Sequence, residues 1–236
     1  MPKIHRFINN FDLTAQAGLS QKQLEITGEI AHQIIKVLKL KVGEKIELSN
    51  GKHISAIAYI CKIDKKSVWV KILETREEKR ESKKVTLFCA ILKKENFELV
   101  VQKTTECGID KIVPIITSRT IKTGLNLERL KKIAKEASEQ SRCSTVPEIL
   151  EPISFEKSLE LVKENDDNIL FDISGSKFAN NHNLKPINLF IGPEGGWTED
   201  EIKKAQNLDF KIISLGKLTL RAETAAIVST YLIKNL

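Results

Sequence analysis

Phe190-Ile191-Gly192-Pro193-Glu194-Gly195-Gly196-Trp197 is the stretch whose reading decides the fold. An apolar run (Ile187, Leu189, Phe190, Ile191) stops at three glycines and a proline, and Thr198-Glu199-Asp200-Glu201 follows with the pattern of a helix capping box. Strand, side-chain-poor loop and helix make up the repeating unit of an open α/β sheet. Such sheets bind ligands in the loops beyond the C-terminal ends of their strands. Glycine lets another molecule approach the main chain closely, and proline fixes one φ angle within the loop. Leu215-Gly216-Lys217-Leu218-Thr219-Leu220-Arg221-Ala222-Glu223-Thr224 repeats the arrangement, now with an arginine and a glutamate at the helix start.

Upstream of these loops the pattern alternates. Strands are expected at 85–91, 111–116, 168–172, 187–191 and 211–214. Helices are expected at 97–107, 127–141, 155–162, 198–207 and 223–236, with Gly108 just past the first of them. Alternating β and α implies a parallel sheet covered on both faces. The first third reads differently. Residues 24–26, 45–48, 53–60 and 67–73 are short β-branched runs, and Asn50-Gly51 between two of them signals a type I′ hairpin. One helix, 29–38, carries Ile30, Ile34, Val37 and Leu38 on one face. Close-spaced strands with a single helix predict a small barrel. Between the two patterns lies Arg76–Lys84, which has no apolar residue and reads as a charged connector. The expected domains are therefore 1–75, 76–84 and 85–236.

Charge follows the same division. Residues 1–80 hold 15 basic and 9 acidic side chains, while residues 81–236 hold 23 and 22. A basic N-terminal third beside a neutral remainder predicts that the first part meets a polyanion. No apolar run approaches the ~20 residues that span a bilayer, and Met-Pro-Lys-Ile-His-Arg-Phe lacks a signal peptide's apolar core. A cytoplasmic protein with no membrane partner is expected. Cys61, Cys89, Cys107 and Cys143 form no Cys-x-x-Cys pair and three sit in apolar patterns, and the four histidines have no ligand spacing, so buried free thiols and no metal site are expected.

Neither glycine loop is a P-loop or a dinucleotide fingerprint. Both are flanked by Ile, Leu and Trp and suit a largely apolar nucleoside or adenine ligand held by backbone groups.

The ordered set of motifs resembles the SPOUT methyltransferases, and within them the bacterial enzymes that methylate N3 of a uridine in 16S ribosomal RNA. The likeness rests on Gly192-Pro193-Glu194-Gly195-Gly196, Leu215-Gly216, and Leu220-Arg221-x-Glu223-Thr224-Ala225. It extends to His5-Arg6-Phe7, His32–Leu40, Gln102-Lys103-x-Thr105-Glu106-x-Gly108, and Glu136–Arg142. The sequence departs from that family's usual wording at Lys39, Trp197, Lys217-Leu218 and Ala222. The resemblance implies an α/β class with a PUA-like β-barrel at 1–75 and a SPOUT α/β domain with a deep trefoil knot at 85–236. It implies S-adenosylmethionine as cofactor, 16S ribosomal RNA or the small ribosomal subunit as partner, and a homodimer. Cofactor contacts would fall to Ile191, Gly192, Pro193, Gly195, Gly196, Leu215, Gly216, Leu218, Leu220, Thr224 and Ala225. Arg221 and Glu223 would be catalytic. Arg6, Lys39, Lys94, Arg119 and Arg142 would meet RNA phosphates. Methylation of a ribose 2′-hydroxyl on the same scaffold, or a non-enzymatic assembly factor, are the readings the sequence sets against it. A nicotinamide oxidoreductase lacks its fingerprint.

Overall fold

The computed structural model describes residues 4–11, 13, 23–77, 83–178 and 185–235. The side chain of Lys94 and residues 78–82 of the expected connector lie outside that set. The chain divides into two compact units, Met1–Arg80 and Glu81–Leu236.

In the first unit, β1 (His5–Ile8), β2 (Gln23–Ile26), β3 (Lys45–Ser49), β4 (Ile54–Ile63) and β5 (Val68–Glu77) form one mixed sheet in the order β1-β3-β4-β5-β2. Only the β1–β3 pair is parallel. Alternate residues point inward, so Phe7, Ile46, Leu48, Ile60 and Val70 pack with Ile30 and Ile34 into one core. Arg76 and Glu77 end β5 rather than open a connector. Arg76 pairs across the sheet with Ser55 and holds both oxygens of Glu74, which keeps the ladder extended.

Two local expectations are corrected here. The helix over 29–38 is α1 (Gly28–His32) followed by a π-helical turn, Gln33–Val37, in which Leu38 N–H reaches back to Gln33 O at 2.9 Å. The wider turn rotates Val37 into solvent while Ile34 stays buried. The hairpin at Asn50-Gly51 exists, but its loop is longer than a two-residue type I′ turn. Positive φ falls at Gly51 and His53, and the Asn50 side chain accepts from Lys52 N and Ile54 N at 2.7 and 3.1 Å.

The second unit follows the alternating pattern. In chain order its elements are β6 (Val85–Ala90), α2 (Lys94–Glu106), β7 (Lys111–Ile116), α3 (Leu127–Ser141), β8 (Glu148–Ile149), β9 (Ile153–Ser154) and α4 (Phe155–Leu161). β10 (Asp167–Lys177), β11 (Ile187–Ile191), α5 (Glu199–Gln206), β12 (Lys211–Ser214) and α6 (Ala222–Asn235) complete it. The sheet order is β12-β10-β11-β6-β7-β8, with β9 also on β7, and every pair is parallel. One face packs Leu87, Leu189, Val100, Val101, Leu130 and Ala226 beneath α2, α3 and α6. The other packs Phe88, Phe190, Phe155, Trp197 and Phe210 beneath α4 and α5. Phe88 and Phe190 stack with centroids 4.4 Å apart. Continuous apolar runs such as Ile187–Ile191, buried at every position, are what a parallel strand covered on both sides requires.

The topology fixes where a ligand can bind. β6 connects outward to β7, whereas β11 crosses β10 to reach β12 at the opposite edge. The neighbours β6 and β11 therefore send their loops apart, and a crevice opens beyond their C-terminal ends.

Candidate active site

That crevice is a cavity of about 720 Å³. The loop after β11, residues 192–198, forms one wall and the loop after β12, residues 215–221, another. The end of β10 contributes Phe171, Asp172 and Ile173, and the start of α2 contributes Lys93 and Asn96. Of the expected cofactor contacts, Ile191, Gly192, Pro193, Gly195, Gly196, Leu215, Leu218, Leu220 and Ala225 line it together, as do Arg221 and Glu223. Gly216 and Thr224 do not line it.

The loop after β11 is braced at several points. Pro193 O accepts from Gly196 N at 2.9 Å, closing a turn, and Gly196 takes φ +69°. Trp197 is buried and donates its indole N–H to Phe171 O at 3.1 Å. Gly192 is explained by this tryptophan: a Cβ there would stand 3.0 Å from the indole ring. Its missing side chain makes room for Trp197 while its main chain lines the cavity. Gly195 lies against the Arg119 stem, where a Cβ would find it at 3.4 Å. Gly196 and Gly216 have open space at that position, and Gly216 takes φ +151°, so glycine is needed there for backbone conformation.

The loop after β12 is held differently. Ser214 donates its hydroxyl to Gly216 O at 2.8 Å and accepts from Gly216 N at 3.3 Å. Beyond that, Leu218 is 81% exposed and the Arg221 side chain 85%. Glu223, in the first turn of α6, is 9% exposed at its side chain. Its Oε2 is buried and meets no hydrogen-bond partner among the described residues. Its Oε1 lies 4.0 Å from Arg221 Nη1, the outer limit of an ion pair and beyond a hydrogen bond. Glu223 therefore does not clamp Arg221. The cavity holds a mobile-length cation at its mouth and a carboxylate with unused capacity in its wall.

β6 ends beneath the same cavity. Burial, reinforced by the negative charges of Glu194 and Glu223, pushes the Cys89 thiol far above its usual range. All four cysteines are free, but only Cys89 is buried as expected; Cys61, Cys107 and Cys143 are partly exposed. Among the described residues no group of His, Cys, Asp and Glu is placed to hold a metal ion, and no helix is long and apolar enough to cross a membrane.

The expected phosphate contacts differ in their local settings. Arg6 points into the first unit's interior: its side chain is 3% exposed, 3.5 Å from Glu47 and 3.2 Å from Ser49 Oγ. The parallel β1–β3 pairing sets it beside Glu47. Lys39 is exposed at φ +51°. Arg142 is exposed and closes α3 in the left-handed conformation. Lys94 opens α2, with its side chain outside the described residues. Arg119 turns back onto the glycine loop, donating to Gly195 O at 2.7 Å and to Trp197 O at 3.1 Å.

Sequence reading missed Lys93, Asn96, Asp172, Ile173 and Ser214. The β10 segment carried one signal. Phe171 and Ser176 both register with Ile213, so residues 172–175 loop out over β12. Gly175 is obligatory where the two backbones cross, since a Cβ would lie 2.6 Å from Ile212 and Ile213 main-chain atoms.

Comparison with known proteins agrees with this geometry. The RNA methyltransferase domain family matches residues 79–234, and the RNA methyltransferase PUA domain family matches residues 26–73. The ribosomal RNA small subunit methyltransferase E of Rickettsia conorii is 34% identical over 206 residues, covering 84% of this chain and 83% of that protein. Its Bacillus subtilis counterpart is 30% identical over 231 residues, covering 91% and 90%. The crystal structure of a ribosomal RNA small subunit methyltransferase E from Neisseria gonorrhoeae bound to S-adenosyl methionine superposes with a TM-score of 0.88 at 27% identity, covering 97% of this chain and 95% of that one.

Proposed function

The chain belongs to the RNA methyltransferase domain family, and from that membership and the cavity's geometry we propose that it transfers a methyl group from S-adenosylmethionine to N3 of a uridine in 16S ribosomal RNA. The observation that carries the reading is the convergence of two glycine loops, Arg221 and Glu223 on one cavity. The cavity suits the donor. Its volume falls within the ~300–1,000 Å³ of small-molecule sites. Its walls are Ile191, Trp197, Leu215 and Leu220, and the buried Glu223 Oε2 has an unmet hydrogen-bonding need.

When bound, S-adenosylmethionine supplies a methyl group already activated by its positive sulfur. The chain's own task is placement and exclusion of water. Ile191, Leu215, Leu218 and Leu220 form apolar walls, and the main chain around Gly195 and Gly196 offers hydrogen-bonding groups. Gly192 acts one step away by admitting Trp197. N3 of uridine is a weak nucleophile until its proton leaves. Arg221, extended at the mouth, stabilises the negative charge that develops on the uracil or on a flanking phosphate. Glu223 supplies an oxygen that accepts a proton, directly or through water, or a hydrogen bond from a bound group. The target atom lies on the pairing edge of the base, so the base is met unpaired or flipped out.

The basic N-terminal unit serves as an RNA-binding PUA-like barrel. The second unit carries the trefoil knot of the SPOUT domains, with α6, which packs on α2, β6 and β11, as its last segment. Two copies pair through that region, where Leu99 and Tyr231 are exposed on α2 and α6. The reaction belongs in the cytoplasm, where small subunits are made. The test is incubation with labelled S-adenosylmethionine and small subunits from cells lacking the gene, followed by nucleoside mass spectrometry. Label in N3-methyluridine supports the reading. Label in a 2′-O-methyl nucleoside, or none, refutes it.

A further inference from the structure

Arg119 and Glu201 lie outside the cavity, yet both act on the loop that forms its wall. Glu201 is 2% exposed. Its Oε1 accepts from Ser118 N at 2.9 Å, and its Oε2 accepts from Thr198 N at 2.8 Å and Thr198 Oγ1 at 3.1 Å. One carboxylate thus joins the turn after β7 to the start of α5. The turn itself is stiff. Thr117 N donates to Thr120 Oγ1, the two threonine hydroxyls lie 2.9 Å apart, and Thr120 N returns to Thr117 O. From that base Arg119 crosses to Gly195 O and Trp197 O, its stem packed along Gly195. The two residues share no bond with each other, but both tie the same two segments together.

We propose that Arg119 and Glu201 form a strap that fixes the Gly195–Trp197 main chain in its ligand-binding conformation, making Arg119 a positioning residue and not a phosphate contact. The inference rests on the S-adenosylmethionine reading above. The strap occupies carbonyls 195 and 197 with Arg119. The remaining polar groups of the turn are left for a ligand, and Gly196 is kept at φ +69°. Hydrogen bonds to a charged group are stronger than neutral ones, so a single guanidinium can hold a loop that has little side chain of its own.

The test is calorimetric titration of S-adenosylmethionine into the full chain and into Arg119→Ala, Arg119→Lys and Glu201→Gln, with thermal melts and the salt dependence of RNA binding for each. Failure of the unaltered chain to bind S-adenosylmethionine would remove the functional reading itself. Given binding, Arg119→Ala should weaken the donor by about tenfold to about a hundredfold. Arg119→Lys, which keeps a cation able to reach both carbonyls, should recover part of that loss. The slope of RNA affinity against salt should stay unchanged. A folded Arg119→Ala protein with unaltered donor affinity overturns the strap. So does a salt slope reduced by about one phosphate contact. A lower melting temperature alone, without change in donor affinity, marks a merely structural residue and also overturns it. Should Arg119→Ala not fold, Glu201→Gln decides by the same criteria, because it keeps the side-chain volume and turns a donor toward the Ser118 or Thr198 N–H.

Discussion

The two loops that enclose the cavity both run from a strand end to a helix start and have opposite mechanical character. The loop after β11 is tied by Arg119, by Glu201, by the Trp197 indole and by its own turn bond. The loop after β12 has Ser214 at its base and then Leu218 and Arg221 extended into solvent. A braced wall fixes the shape that a small ligand must match. An unbraced wall keeps reactive groups free to meet a second, larger molecule. We infer from the contrast that the first loop shapes the donor's site, while the second adds apolar donor contacts and sets Arg221 out toward the methylated base.

The largest expected effect comes from the open side. Arg221→Ala should lower the transfer rate about a hundredfold or more, as loss of a charge-stabilising group at a reacting centre does. Donor affinity should change little, because Arg221 stands at the mouth. Equal loss of rate and donor affinity would erase the division between the loops. On the braced side the order should reverse. Gly196→Val forces a β-branched residue to φ +69°, at a cost of about 1–3 kcal/mol. Donor affinity should fall about tenfold or more. Unchanged calorimetric affinity would mean that the turn does not shape the ligand site.

Much of this was legible in the sequence because the second unit is locally consistent. Periodicity located β7, β11, β12 and α3 to the residue, and the capping box at Thr198–Glu201 is present with both of its bonds. Local signals failed where a distant partner decides. Glu201 advertised a helix start, but its other oxygen serves Ser118, 83 residues away. Gly192 lines the cavity as expected, but sequence could not show that its missing side chain also makes room for the Trp197 ring. For Arg6 and Arg119, a cation's sequence context does not reveal the carboxylate or carbonyls it meets within the fold. The π turn after α1 left no mark either, since Ile30 and Ile34 suit both windings.

Two predictions probe the braced wall without touching the ligand. Gly192→Ala places a methyl 3.0 Å from the indole and should cost about 1–3 kcal/mol of stability by overpacking, read from denaturant midpoints. An unaffected midpoint would show that Trp197 can shift freely and that the wall is softer than described. Cys89, fully buried beside Ile191, reports on the sheet next to that wall. Its thiol is held protonated in the folded state by burial and by Glu194 and Glu223. A raised folded pKa leaves this contribution intact below the unfolded value of about 8.5 and removes it as pH rises above that. Stability should therefore fall by up to about 1.4 kcal/mol per pH unit from this group alone. In Cys89→Ala that part of the alkaline slope should vanish. Identical slopes would place the thiol in contact with water.

The smallest expected effect tests the open wall at its one fixed point. Ser214 closes a small ring on both polar groups of Gly216, and this ring is what keeps Gly216 at φ +151° before the loop runs into solvent. Ser214→Ala removes both bonds, worth about 1 kcal/mol together if the freed backbone groups find water. Global stability should barely move, because the loop is already exposed. The consequence should appear on ligand binding, where the loop must pay the ordering entropy that the ring had already removed. The donor should bind about fivefold more weakly and the rate at saturation should hold, provided the loop reaches the same closed form once occupied. A fall in saturated rate with unchanged donor affinity would instead mean that Ser214 sets the reach of Arg221, and the loop after β12 would then be as dependent on its base as its neighbour is on Arg119.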